Sequence, residues 1–214
     1  MKHSGDENQN TIVIQAFWSL LIKYSVSDKL GKELCSEVEE AYTHSSRYYH
    51  NLSHINNLWL LLDRCIEIND PDTILLSVIY HDIIYDPSQN NNEEMSAQFA
   101  VRRLRSISFP EDKILRCSDQ ILATKGHQAS SDIDTNLFTD ADLSILGADW
   151  DSYSVYSKNI RMEYSIYPDA LYYPGRKKVL KHFLQMERIY KTVRFLNRYE
   201  DQARANISRE LASL

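Results

Sequence analysis

This chain is poor in the residues that interrupt helices. Its 214 residues include only 5 Gly and 5 Pro, and long stretches hold neither. That scarcity argues against a turn-rich β architecture and for long helices. No apolar run approaches the length of a membrane span, which takes roughly 20 residues. The three cysteines, Cys35, Cys65 and Cys117, are widely spaced and form no CxxC pair. A zinc ribbon and a dithiol redox motif are therefore unsupported, and buried, reduced thiols in a cytoplasmic setting are the simplest reading. There is no Gly-rich phosphate loop and no Gly-x-Ser-x-Gly elbow. A net charge of −6 opposes a dedicated nucleic-acid binder, although a few placed cations would suffice for a small phosphorylated substrate. Residues Met1 to Asn10 are polar, with no apolar stretch, and read as a frayed terminus without a leader.

What the chain does have is helical periodicity. Thr11 to Tyr24 spaces Ile12, Phe17, Leu20, Leu21 and Tyr24 as one helical face. Ser27 suits an N-cap for a helix through Leu30, Leu34, Val38 and Tyr42. Asn51 or Ser53 could cap the next helix, expected to run to about Ile68. Asn69-Asp70-Pro71-Asp72 predicts a turn and a helix start. Ile74 to Tyr85 is apolar on every side of a helical projection, which predicts a buried helix carrying His81 and Asp82. Further helices are expected over Glu93 to Ser106, from Pro110 to about Lys125, from Asp149 to about Tyr167, over Gly175 to Tyr199 and over Asp201 to Leu214. Ser130 to Asn136 reads as a polar loop, Leu137 to Leu146 as a short ambiguous apolar segment, and Pro168 to Pro174 as a break. The expected fold is one all-α helical domain over residues 11–214.

The chemistry sits in three short blocks. His50 and His54 are four apart and would share a helix face. That spacing suits two metal ligands, and it also arises by chance. A bare carboxylate at Asp82, in so apolar a run, would cost several kcal/mol unless something neutralised it. Asp140 and Asp142 follow in another apolar segment. Two imidazoles and two carboxylates make a mixed nitrogen and oxygen set suited to Mn, Fe, Mg, Zn or Co.

The blocks run in order as Arg47-Tyr48-Tyr49-His50-Asn51-Leu52-Ser53-His54-Ile55, then His81-Asp82-Ile83-Ile84-Tyr85-Asp86. Asn92-Glu93-Glu94-Met95-Ser96-Ala97 and Asp140-Ala141-Asp142-Leu143-Ser144-Ile145-Leu146-Gly147 follow. This order resembles the HD superfamily of metal-dependent phosphohydrolases, and within it a bacterial family of predicted HD phosphohydrolases. The resemblance implies an HD-type helical bundle and a divalent metal. It also implies hydrolysis of a phosphoester or pyrophosphate bond, of a nucleotide by preference.

The YHN-x-x-H and Asp-Leu-Ser blocks are similar to cyclic-nucleotide phosphodiesterases. Carried over, His54, His81, Asp82 and Asp142 become metal ligands and His50 the general acid. Asp140 could orient a ligand imidazole or cap a helix. His81 to Asp86 is also similar to the HD-x-x-ED signature of alarmone hydrolases. Tyr85 replaces the first acid there, so Asp86 alone carries over, as a base or water positioner; a helix stop before Pro87 competes. Arg47, Lys125, Arg161 and Arg176 are candidates for offsetting transition-state charge, against the ordinary alternative of solvated surface charges. Glu93 could touch the site or simply favour a helix start, as could Glu94. His127 is the spare ligand for a second ion. Competing expectations are a nucleotide sensor on an HD scaffold and a di-iron oxygenase. A homodimer is compatible with the sequence, and no membrane partner is expected.

Overall fold

The helix boundaries follow from local capping chemistry. The structure, a computed structural model, describes residues 12–214, so the terminus expected to fray lies outside the described residues. It holds ten α-helices and one short 3-10 helix, with no strand among the described residues. The all-α expectation is met. Helix contacts divide the chain into two units, one ending at Gln128 and one spanning Ala129–Leu214.

In the first unit, α1 (Ile12–Lys23) buries Val13, Phe17, Leu20 and Leu21. Ser27 caps α2 (Asp28–Tyr42) by accepting from the Leu30 amide. Asn51 caps α3 (Leu52–Leu62), accepting from the amides of Ser53 and His54. That helix stops at Leu62, short of the expected Ile68. Asp70 caps α4 (Pro71–Tyr80), and Pro71 occupies the first turn, where its missing N–H costs nothing. Every residue from Thr73 to Tyr80 is buried, as an all-round apolar pattern requires. α4 packs against α1, α3, α5 (Asn92–Ser106) and α6 (Glu111–Ala123). His81 and Asp82 do not lie on this helix; they form the turn just beyond its last residue.

The second unit is built on the 3-10 helix Leu143–Gly147, which α7 (Ile133–Asp142), α8 (Trp150–Glu163) and α10 (Val193–Ser213) contact. A Cβ on Gly147 would stand 2.6 Å from the Tyr199 carbonyl oxygen, so only glycine lets the backbones approach this closely. The expected loop Ser130 to Asn136 is instead half helix, because Asp132 caps α7 through the Thr135 amide. The ambiguous segment Leu137 to Leu146 is helical. α9 (Asp169–Gln185) starts inside the expected break, six residues ahead of the expected Gly175, and carries Pro174 within it. Residues 186–192 interrupt the helix expected to reach Tyr199, and α10 begins at Val193 rather than Asp201.

The cysteines are free and buried. Burial pushes the Cys35 thiol up to about 11 and the Cys117 thiol up to about 12, which leaves both unreactive. Among the described residues no helix is long and apolar enough to cross a membrane.

Candidate metal centre

Two segments of the first unit meet at one cluster. The first is the start of α3. Its Asn51 cap fixes the first turn and orients His54 inward, where it is buried. The second is the turn after α4, which delivers His81 and Asp82. The Nε2 atoms of His54 and His81 lie 3.2 Å apart. Asp82 Oδ2 lies 3.0 Å from His81 Nε2 and 3.7 Å from His54 Nε2.

The tautomer of His81 follows from its other nitrogen. Nδ1 is 2.9 Å from the Val78 carbonyl oxygen, which can only accept, so Nδ1 carries the proton. In the neutral ring the Nε2 lone pair then faces His54 and the Asp82 carboxylate. Atoms that all offer lone pairs at such distances repel unless a cation joins them, either a proton or a metal ion. A backbone carbonyl behind the distal nitrogen is also how metal-ligating histidines are held. The residues present therefore fit a divalent ion. Burial alone would push the Asp82 carboxyl up. With protons as the joining cations, the positive charge of the His81, His50 and His54 imidazoles and a hydrogen bond from the doubly protonated His81 reverse that and hold it far below the usual carboxylate range.

His50 lies just before the α3 cap. Its ring lies tilted against Tyr85, at 4.2 Å between centroids, and stands 5.7 Å from the His54 ring. Tyr49 packs against both histidines, at 5.0 Å from His50 and 4.9 Å from His54. Sequence reasoning assigned no role to these two tyrosines. Their place inside the YHN and HD-x-x-YD blocks was the signal.

The other expected site residues are held as follows. Arg47 points to the backbone: its Nη1 donates to the His50 and Asp82 carbonyls at 3.1 and 2.7 Å, and its Nη2 to the Ile83 carbonyl at 3.0 Å. Asp86 accepts from the Ser88 amide and hydroxyl at 2.8 and 2.7 Å. Those bonds hold its carboxyl below the usual range, which makes it a turn-forming anion and a weak base. Lys125 pairs with Glu94, donates to the Asn90 carbonyl at 2.8 Å and lies 4.0 Å from Glu93, so all three serve one surface cluster. His127 follows α6 in a left-handed conformation, with φ of 49°.

The second unit holds the remaining candidates. Asp142 is the last residue of α7 and is partly exposed. Asp140 neither caps its own helix nor touches an imidazole of this unit. It accepts from the amides of Lys191 and Thr192 and from the Thr192 hydroxyl, and pairs with the Lys191 ammonium at 3.0 Å. Arg176 is buried against Glu210, to which it donates through Nε and Nη2 at 2.8 and 3.0 Å. Arg161 donates to Asp169 and to the Tyr164 and Tyr167 carbonyls. These two guanidiniums are engaged with protein partners.

No family model matches the chain, and neither the curated proteins nor the solved structures yield a match.

Proposed function

We propose that the chain is a divalent-metal phosphohydrolase of the HD superfamily, acting on a phosphoester or pyrophosphate, of a nucleotide by preference. The observation that carries this reading is the approach of His54 Nε2, His81 Nε2 and Asp82 Oδ2, with the His81 lone pair turned inward by the Val78 carbonyl. The resemblance adds Asp142 to the expected ligands, and two imidazoles with carboxylates suit Mn, Fe, Mg, Zn or Co. Such an ion would polarise a phosphoryl oxygen and lower the pKa of a water to near 7, about the value reached at catalytic zinc.

The chain's own residues supply the rest. Asp82, held ionised, offsets the charge of the ion. His50, whose ring lies tilted against Tyr85, is the residue that the resemblance assigns to protonate the leaving oxygen. Tyr49 packs against both histidines and Tyr85 against His50.

The test is metal analysis of the purified chain, followed by phosphate release from a panel of nucleotides with each divalent ion. Bound metal with metal-dependent phosphate release supports the reading. Bound nucleotide without turnover in the presence of metal, or no affinity for any divalent ion, would overturn it.

A further inference from the structure

Arg47 looks at first like a phosphate-binding cation beside a candidate metal site. Its geometry says otherwise. The guanidinium lies 4.8 Å from the Tyr42 ring centroid and 5.6 Å from that of Tyr85, so aromatic faces flank it. Between those rings its hydrogen bonds go to backbone oxygens: His50 and Asp82 from the same Nη1, and Ile83 from Nη2. The Asp82 and Ile83 carbonyls follow the C-terminus of α4, where helix carbonyls lack intrahelical donors and a cation is favoured. The His50 carbonyl belongs to the segment that leads into α3. One nitrogen thus ties together two pieces of backbone that are 32 residues apart in the chain, from His50 to Asp82.

We propose that Arg47 is a positioning residue. It clamps the His50–His54 segment to the His81–Asp82 turn and so sets the spacing of the metal ligands, rather than contacting substrate phosphate. Lysine cannot replace it, because a single ammonium lacks the planar fork that reaches three carbonyls in different directions. The metal part of this proposal rests on the metal-site reading above; the clamp itself does not.

The experiment uses Arg47→Met, which keeps an apolar stem between Tyr42 and Tyr85 and removes every donor, and Arg47→Lys beside it. Hydrogen exchange at amides 81–85 is measured first, with no metal added. The clamp predicts exchange at least ~10-fold faster in Arg47→Met than in wild type, with far-UV circular dichroism unchanged. Mn2+ affinity and Co2+ absorption spectra are then compared. Outer partners of metal ligands typically govern about 10–100-fold in affinity, so that loss and an altered cobalt spectrum are expected, with Arg47→Lys between wild type and Arg47→Met. The Michaelis constant for a phosphorylated substrate should stay near the wild-type value.

Unchanged exchange and unchanged metal affinity, with a raised Michaelis constant, would make Arg47 a phosphate contact and overturn the proposal. If Arg47→Met does not fold, Arg47→Lys decides alone by the same two readouts. If wild type binds no metal, the hydrolase reading fails, and exchange at 81–85 still decides the clamp.

Discussion

The buried charges of the second unit and the histidine cluster of the first are closed in different ways. In the second, every buried charge described above meets a partner of opposite sign. Arg176 and Glu210 form a two-bond pair that also receives the Tyr153 hydroxyl at 2.5 Å, and Asp140 faces Lys191. In the first, His81 turns a lone pair toward a carboxylate and a second imidazole. A structural network closes on itself, whereas a cluster of acceptors is completed by a cation from outside. This contrast separates an ion pair that holds helices together from a group suited to chemistry. Residue identity alone could not separate them, since Arg176 and His81 both looked functional in the sequence.

The comparison can be broken by substitution. The largest effect is expected of Asp82→Ala, which should abolish metal binding and phosphate release together; retention of stoichiometric metal by this variant would remove Asp82 from the ligand set. Next is Glu210→Ala. It strands a buried guanidinium and should cost about 3–5 kcal/mol in urea unfolding. A loss below ~1 kcal/mol would mean that the Arg176 pair is no structural network.

His50→Ala should keep its metal while turnover falls about 10²-fold, the low end for a lost general acid. Loss of metal from this variant, with retention in His54→Ala, would exchange the two assignments.

The smallest effect concerns acid stability. Burial pushes the Asp70 carboxyl up, but Lys113 at 2.9 Å and the bonds from Thr73 outweigh it and hold the folded value below 3.8. A lowered folded value contributes stability that is present above pH 3.8 and lost as pH falls through the folded value. Asp70→Asn should therefore cost about 1 kcal/mol at neutral pH and flatten the loss of stability below pH ~4. An unchanged acid slope would show that the cap, and not its charge, supplies the effect.

Much of the fold was legible because it is written in local chemistry. Ser27, Asn51, Asp70 with Pro71, and Asp149 each cap the helix that follows them, and each bond spans only a few residues. The break at 186–192 was not legible, because no Gly or Pro marks it. Distant side chains make it instead. Glu200 accepts from the Ile189 and Tyr190 amides, Asp140 from those of Lys191 and Thr192, and Arg204 donates to the Leu184, Met186 and Glu187 carbonyls. Pro174 misled in the other direction, since a proline tolerated inside α9 reads as an ending.

At the site, residue types and order pointed to His50, His54, His81 and Asp82, and these four do cluster. The sequence could not show where each cation spends its donors. Arg47, Lys125 and Arg176 are alike as letters, yet their partners are backbone carbonyls, surface carboxylates and a buried glutamate.

The 186–192 connection also sets how the second unit comes apart. Its Ile189 and Tyr190 side chains are buried, and the Tyr190 hydroxyl donates to the Leu143 carbonyl at 2.8 Å. Peeling this stretch away would strip Asp140 of its donors and Glu200 of its backbone ones, so it cannot open as an ordinary surface loop does. Trypsin should accordingly cut at Arg188 and Lys191 only at the rate at which α10 itself detaches, making these two bonds a built-in gauge of that helix's docking.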